Sequence, residues 1–257
     1  MSGPSRPAPT LSRTLGAGAG IDAHRHEENQ IVYASRGVLA VATDAGSWVA
    51  PATRAIWVPA GSVHEHRAYG ATSLHTIGLP ASANPLRLHT PAVLCVGPLL
   101  RELIIAYTRD PADSSARRER LRLVILDELR DARQEAVHLP TPRDSRLAAV
   151  CRLLELNPAD QRSLARLGAE VGVSQRTLTR LFAGELGMTF PQWRTQLRLH
   201  LALRLLAEGV SVTSTGHRCG WITTSAFVDV FRRHLGYTPG RRRHAGTRAE
   251  PGAAVAS

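Results

Sequence analysis

The sequence has no lysine; all 32 of its basic residues are arginine. Any contact with a polyanion therefore falls to guanidinium forks, which grip paired oxygens bidentately where an ammonium acts as a point charge. Aromatic residues make up only 5% of the chain, so a core has to be built mainly from leucine, valine and alanine. Three cysteines, Cys95, Cys151 and Cys219, are odd in number, far apart and in no ligand spacing, which excludes a disulfide framework. No apolar run reaches the roughly 18 residues of a membrane span, and the opening MSGPSRPAPTLSRTLGAGAG has no signal-peptide core. A cytoplasmic protein in a reducing compartment, with no membrane partner, is expected.

What is present is globular in character, with 43% hydrophobic and 21% charged residues over 257 positions. The net charge of +11 is unevenly placed: residues 1–139 carry a net +2 and residues 140–257 a net +9. That asymmetry points the second half toward a polyanion, nucleic acid before membrane.

The chain divides by pattern. Residues 1–20, rich in Gly, Ala, Pro and Ser, read as disordered. Over 21–85 the short β-prone runs QIVYAS, GVLAVAT, SWVA, RAIWVP, SVHEHRA and SLHTIGL alternate with turn signals at 44–46, 59–61 and 69–70, which predicts a small antiparallel barrel. Segment 86–137 is predicted as helices, 96–109 and 116–135, with Leu121, Ile125 and Leu129 on one stripe and Leu123 and Val124 beside it; it is the expected dimerisation segment. HLPTPRDS at 138–145 reads as a linker, 146–243 as all-helical and 244–257 as a disordered tail. The fold class expected is α+β: a barrel with helices, then an all-α domain.

The second half contains a repeat. Ser163, Gly168 and Gly172 match Ser211, Gly216 and Gly220 at an offset of 48; after one inserted residue, Leu178, Phe182, Leu186 and Gly187 match Phe227, Phe231, Leu235 and Gly236 at 49. Each copy reads as a serine-capped helix, a glycine turn, and a second helix capped by Ser174 or by Thr223 or Thr224. This is a helix-turn-helix, whose second helix enters the DNA major groove. Between the copies, Trp193, Leu197, Leu201 and Leu205 recur every four residues in a helix with a capping box at Thr189 and Gln192. Such a connector, with the helices at its ends, approaches the roughly 34 Å between successive major-groove faces.

These motifs, SQRTLTRLF, QLRLHLALRLL and above all GWITTSAFVDVFRRHLGYTPG, resemble the DNA-binding domain of the AraC/XylS family of transcription regulators over 144–243. Thr215 and Gly216 depart from the usual Ile-Ala pair, and Arg242 stands where a tyrosine is common. The resemblance implies base-facing side chains at Arg176, Thr179 and Arg180 in the first recognition helix and at Thr224, Ser225 and Asp229 in the second. Arginine reads guanine and threonine is adaptable, whereas Asp229 suits positioning more than specification. Arg232, Arg233 and the run Arg241 to Arg243 fit phosphate contacts. Implied partners are double-stranded promoter DNA, a second copy in a homodimer, and RNA polymerase where the protein activates, as family habit favours.

Six of the eleven histidines lie between 24 and 89. Gly20 to Gly37 and Pro59 to His64 resemble the two cupin motifs, which implies a metal held by His24, His26 and His64, with Gln30 in the carboxylate's position. Their even numbering puts His24, His26 and Gln30 on one face of an extended strand, with His66 pointing the same way as His64, and His75 nearby. Neutral imidazoles suit Zn, Fe, Ni or Cu. Three readings stay open: a divalent transition metal, a small organic effector, or lining with no ligand. The function expected is a one-component, ligand- or metal-responsive transcriptional regulator that is not an enzyme. The alternative is a metal-dependent, oxygenase-like cupin enzyme with a DNA-binding appendage, although no general base lies beside the histidines.

Overall fold

Two long strands organise the first half of the protein. The computed structural model describes residues 7–135 and 138–240; the expected tail and the Arg241 to Arg243 run lie outside the described residues. β3 (Asn29–Thr43) and β6 (His64–Leu79) run antiparallel along their length, and β3 bulges at Ala34–Val38. The bend there reverses which face is inward. Val32 and Ala34 point into the interior before it, and Leu39 and Val41 after it. Around this pair are β1 (Leu11–Leu15) and β2 (Gly20–His24) on β6, and β4 (Gly46–Pro51) and β5 (Arg54–Val58) on β3. β7 (Ala92–Cys95), β8 (Gln134–Glu135) and β9 (Leu139–Pro140) complete a nine-stranded sheet.

The curled sheet wraps an apolar interior of Val32, Leu39, Val41, Trp48, Ile56, Val58 and Leu74. Its outward side on one half carries Ile31, Tyr33, Trp57 and Ile77, covered by α1 (Pro98–Arg109) and α2 (Ala116–Arg130) through Leu100, Ile104, Ile125 and Leu129. On the other half, Val38 and Val49 join a cluster with helices of the second half of the chain.

Several expectations change here. Residues 11–15 and 20 are strand, because LSRTL pairs residue by residue with Leu74–Thr76 and its neighbours on β6. QIVYAS and GVLAVAT are one bulged strand, and Tyr69–Gly70 lies inside β6 instead of at a turn. The sheet reaches beyond residue 85 through β7 to β9, so 86–137 is not wholly helical and the expected linker contains β9, which pairs with β4. Leu123 and Val124 face solvent, 48% and 41% exposed.

Six helices follow: α3 (Ser145–Leu156), α4 (Leu164–Glu170), α5 (Gln175–Leu186), α6 (Phe190–Ala207), α7 (Val212–Arg218) and α8 (Thr224–Leu235). Local chemistry sets each start. Ser163, Ser174, Ser211 and Thr223 accept backbone N–H groups at the first turns of α4, α5, α7 and α8, and Thr189 with Gln192 forms the capping box of α6. Gly172 and Gly220 take φ of +70° and +84° in the turns, a left-handed backbone that glycine adopts without a Cβ penalty. α6 links two cores: Trp193 and Leu197 pack with α3 to α5, whereas Leu199, Ala202 and Leu203 pack with α7 and α8.

Candidate nucleic-acid interface and histidine cluster

The two helix pairs are built alike. Leu178, Phe182 and Leu186 bury one stripe of α5, and Phe227, Phe231 and Leu235 the matching stripe of α8. Burying that stripe turns the opposite face outward. Arg176, Thr179 and Arg180 are exposed on α5, as are Ser225, Asp229, Arg232 and Arg233 on α8, with Thr224 half-buried. Asp229 lies 3.7 Å from Arg232, which offsets part of that arginine's charge. Gly168 and Gly216 sit at the helix crossings, where a Cβ would meet the Val173 carbonyl at 2.4 Å or the Phe227 ring at 3.2 Å. Arg198, by contrast, is buried and donates to the Pro158 and Asp160 carbonyls, so it braces α6 against the loop before α4 and is not presented to a ligand.

The histidines converge at one end of the sheet's interior. One ligand atom from each of His24, His26 and His64 lies within 4.8 Å of the others. Strand parity is not the cause for His26: β2 ends at His24, and the turn before β3 swings His26 back toward it. His64 and His66 both project inward from β6, with ring centroids 5.1 Å apart, and His66 stands 5.7 Å from His24. His66 is thus a fourth imidazole at the cluster. Gln30, also buried on an inward position of β3, has no partner for its Oε1 among the described residues. His75 is elsewhere: its Nε2 meets Ser35 Oγ at 2.8 Å and its Nδ1 meets Thr108 Oγ1 at 2.7 Å, tying β3 and β6 to α1.

Each of the three clustered rings engages a backbone carbonyl through Nδ1: His24 with Asp22 (2.7 Å), His26 with Glu28 (3.1 Å) and His64 with Ser62 (2.9 Å). In a neutral ring this makes Nδ1 the donor and leaves the lone pair on Nε2. The Nε2 atoms of His26 and His64, and both ring nitrogens of His66, are buried without a hydrogen-bond partner among the described residues. Burial pushes His64 down to about 4, with its backbone bond opposing and its histidine neighbours assisting, and pushes His66 well below the ordinary value. Imidazoles that engage a carbonyl through Nδ1 and turn Nε2 toward one another are a donor set that fits a transition metal ion.

Sequence reasoning found these three ligand candidates by motif. It had no signal for the Nδ1 locks, which depend on loop backbone. It also missed the sheet-to-helix seam, where Arg54 Nη2 donates to the Leu235 carbonyl at 3.1 Å and Arg204 lies over the Tyr69 ring at 4.6 Å.

A helix-turn-helix domain family matches residues 167–245. The HTH-type transcriptional regulator NimR of Escherichia coli is 30% identical over 220 residues, covering 85% of this chain and 80% of NimR. The HTH-type transcriptional regulator RipA of Corynebacterium glutamicum is 43% identical over 101 residues, 39% of this chain and 30% of RipA. A solved transcriptional regulator with an AraC-type DNA-binding domain, from Chromobacterium violaceum, is 32% identical with a TM-score of 0.36, over 37% of this chain and 86% of that one. Nothing in these likenesses supports the enzyme alternative, and among the described residues no helix is long and apolar enough to cross a membrane. With a β domain ahead of two helix-turn-helix motifs, and a relative matched across most of both chains, the protein belongs to the AraC-type family of DNA-binding transcriptional regulators and is not an enzyme.

Proposed function

We propose that α5 and α8 enter successive major grooves of one promoter duplex, and that a divalent transition metal in the cupin-like sheet is the effector. In this reading Arg176, Thr179 and Arg180 read base edges, Thr224 and Ser225 assist from α8, and Arg232 and Arg233 hold phosphates. The observation that carries the DNA half is the exposure of the arginines and threonine on α5 opposite a fully buried stripe. Two copies form a homodimer on repeated half-sites, and an activating dimer contacts RNA polymerase. Binding to the DNA upstream of the protein's own gene, measured across salt concentrations, tests this. Arg180→Ala should relax specificity at one base step, whereas Arg232→Ala should weaken all sequences and reduce the salt slope by about 1. Binding without sequence preference overturns it.

The metal half rests on the Nδ1 locks and the partnerless Nε2 atoms. His24, His26 and His64 would hold the ion, Gln30 would add a weak oxygen donor, and the ion would supply a fixed positive charge and cross-link between β2, the turn after it and β6. Elemental analysis of protein purified without a histidine tag should find stoichiometric metal, lost in His64→Ala. Metal-free protein that added Zn, Ni, Cu or Fe cannot load refutes it.

A second reading, an organic effector, is favoured by a cleft of about 370 Å³ between the sheet and α6, lined by Ala42, Val49, Tyr69, Leu197, His200 and Leu201. That volume falls in the range of small-molecule sites. A change in thermal midpoint with candidate small molecules but with no metal would move the assignment there.

A further inference from the structure

The two motifs differ by one residue, and the structure identifies it. Val173 and Trp221 are equivalent: Val173 donates its N–H to the Gly168 carbonyl at 2.8 Å, and Trp221 donates to the Gly216 carbonyl at 3.0 Å. The helix cap follows Val173 at once, as Ser174, but follows Trp221 only after Ile222, as Thr223. Ile222 is the insertion. Trp221 takes the packing role, its ring 4.9 Å from Phe227, so Ile222 is left with nothing to bury it and is 87% exposed.

A lone exposed isoleucine is ordinary on a protein surface. Its position here is not ordinary, because the N-terminal end of a recognition helix is the part that meets base edges. One turn on, Ala226 is also exposed, flanked by Ser225. The equivalent stretch of α5 presents Arg176, Thr179 and Arg180, with Thr177 half-buried. Where α5 offers forks for guanine, the start of α8 offers two apolar side chains, the Ser225 hydroxyl with Thr224 half-buried beside it, and a carboxylate beside Arg232. The major-groove feature that apolar side chains recognise is the 5-methyl group of thymine.

We infer that the second motif recognises thymine, through contact of Ile222 and Ala226 with its 5-methyl group. This rests on the groove-entering reading of α8 given above. It divides the operator into a guanine-dependent half read by α5 and a thymine-dependent half read by α8.

The test starts from the duplex that the full-length protein selects out of a randomised pool. Each thymine is replaced singly by deoxyuridine, which deletes one methyl group and keeps every hydrogen bond. Wild-type affinity should fall about fourfold at one or two thymines in the α8 half, the worth of one buried methyl group. Ile222→Ser should bind the thymine and deoxyuridine duplexes equally, and Ala226→Ser should reduce the difference. Arg180→Ala should retain it in full. Both substituted side chains are exposed, and a thermal midpoint equal to wild type verifies folding. Equal wild-type binding to every deoxyuridine duplex overturns the inference while the regulator reading stands, as does a methyl effect unchanged in Ile222→Ser. A pool that yields no preferred sequence overturns both.

Discussion

His200 is a buried histidine away from the cluster whose titration bears on stability. It lies on the sheet-facing side of α6, 5% exposed, and its Nε2 has no partner among the described residues. Burial pushes it down to about 4, with His138 and Arg204 adding repulsion. The ordinary histidine value near 6.5 applies once the chain unfolds. Between pH 6.5 and 4 the unfolded chain therefore takes up a proton that the folded one refuses, and stability falls as pH falls through that window. Above and below it, His200 contributes no pH dependence. The full span is worth about 3 kcal/mol. His200→Met should hold more of its stability at pH 4.5 relative to pH 7 than wild type does, as read by urea midpoints. Equal losses in the two proteins would assign the acid sensitivity to other histidines.

Among the elements, the paired crossings give the sharpest contrast. At Gly168 an added Cβ meets fixed backbone, the Val173 carbonyl, at 2.4 Å, and Leu178 Cδ1 at 2.9 Å. At Gly216 it meets only the Phe227 side chain at 3.2 Å. Overpacking against backbone has no cheap relief, so Gly168→Ala should cost about 2 kcal/mol, while Gly216→Ala should cost under about 1 kcal/mol. Denaturant unfolding of both variants checks the order. The same glycines explain why this half was legible in the sequence: caps, turn glycines and a four-residue apolar stripe are local signals, and α4 to α8 follow them closely. β1 was not legible, because LSRTL follows a Gly-, Ala-, Pro- and Ser-rich lead-in, has no alternating apolar pattern, and is strand through its pairing with β6, some sixty residues on. The separation of QIVYAS from GVLAVAT and the turn signal at Tyr69–Gly70 became irregularities inside β3 and β6 for a related reason: a bent strand and two short ones look alike until a partner runs past the bend. The histidine cluster was legible by motif, yet its parity rationale fails at His26, where a turn does the positioning.

At the scale of the molecule, the sheet holds one helix pair far more closely than the other. The core of α3 to α5 includes only Leu139 from the sheet, whereas Val38 and Val49 are part of the core that holds Leu199, Phe227, Phe231 and Leu235. Arg54 caps the last turn of α8 from β5, and Gly70 leaves no room for a Cβ beside the Ala207 carbonyl, 2.4 Å away. β6 ties this seam to the histidines. His64 and His66 point into the sheet, and Glu65, Arg67 and Tyr69 between and beyond them line the cleft under α6. A ligand that binds two states of a protein equally shifts neither, so an ion at His64 acts on DNA binding only by favouring one arrangement of this strand. The C-terminal half of α6 with α7 and α8 should then respond first. Zinc or nickel added to metal-free protein should change amide hydrogen exchange there and leave α4 and α5 as they were. Gly70→Val, which wedges the seam, should already raise exchange in the same segments and blunt the metal's effect, with metal affinity kept. Exchange that changes equally in both helix pairs would mean that the seam does not carry the signal, and that any coupling to DNA runs through the proposed dimer contact instead.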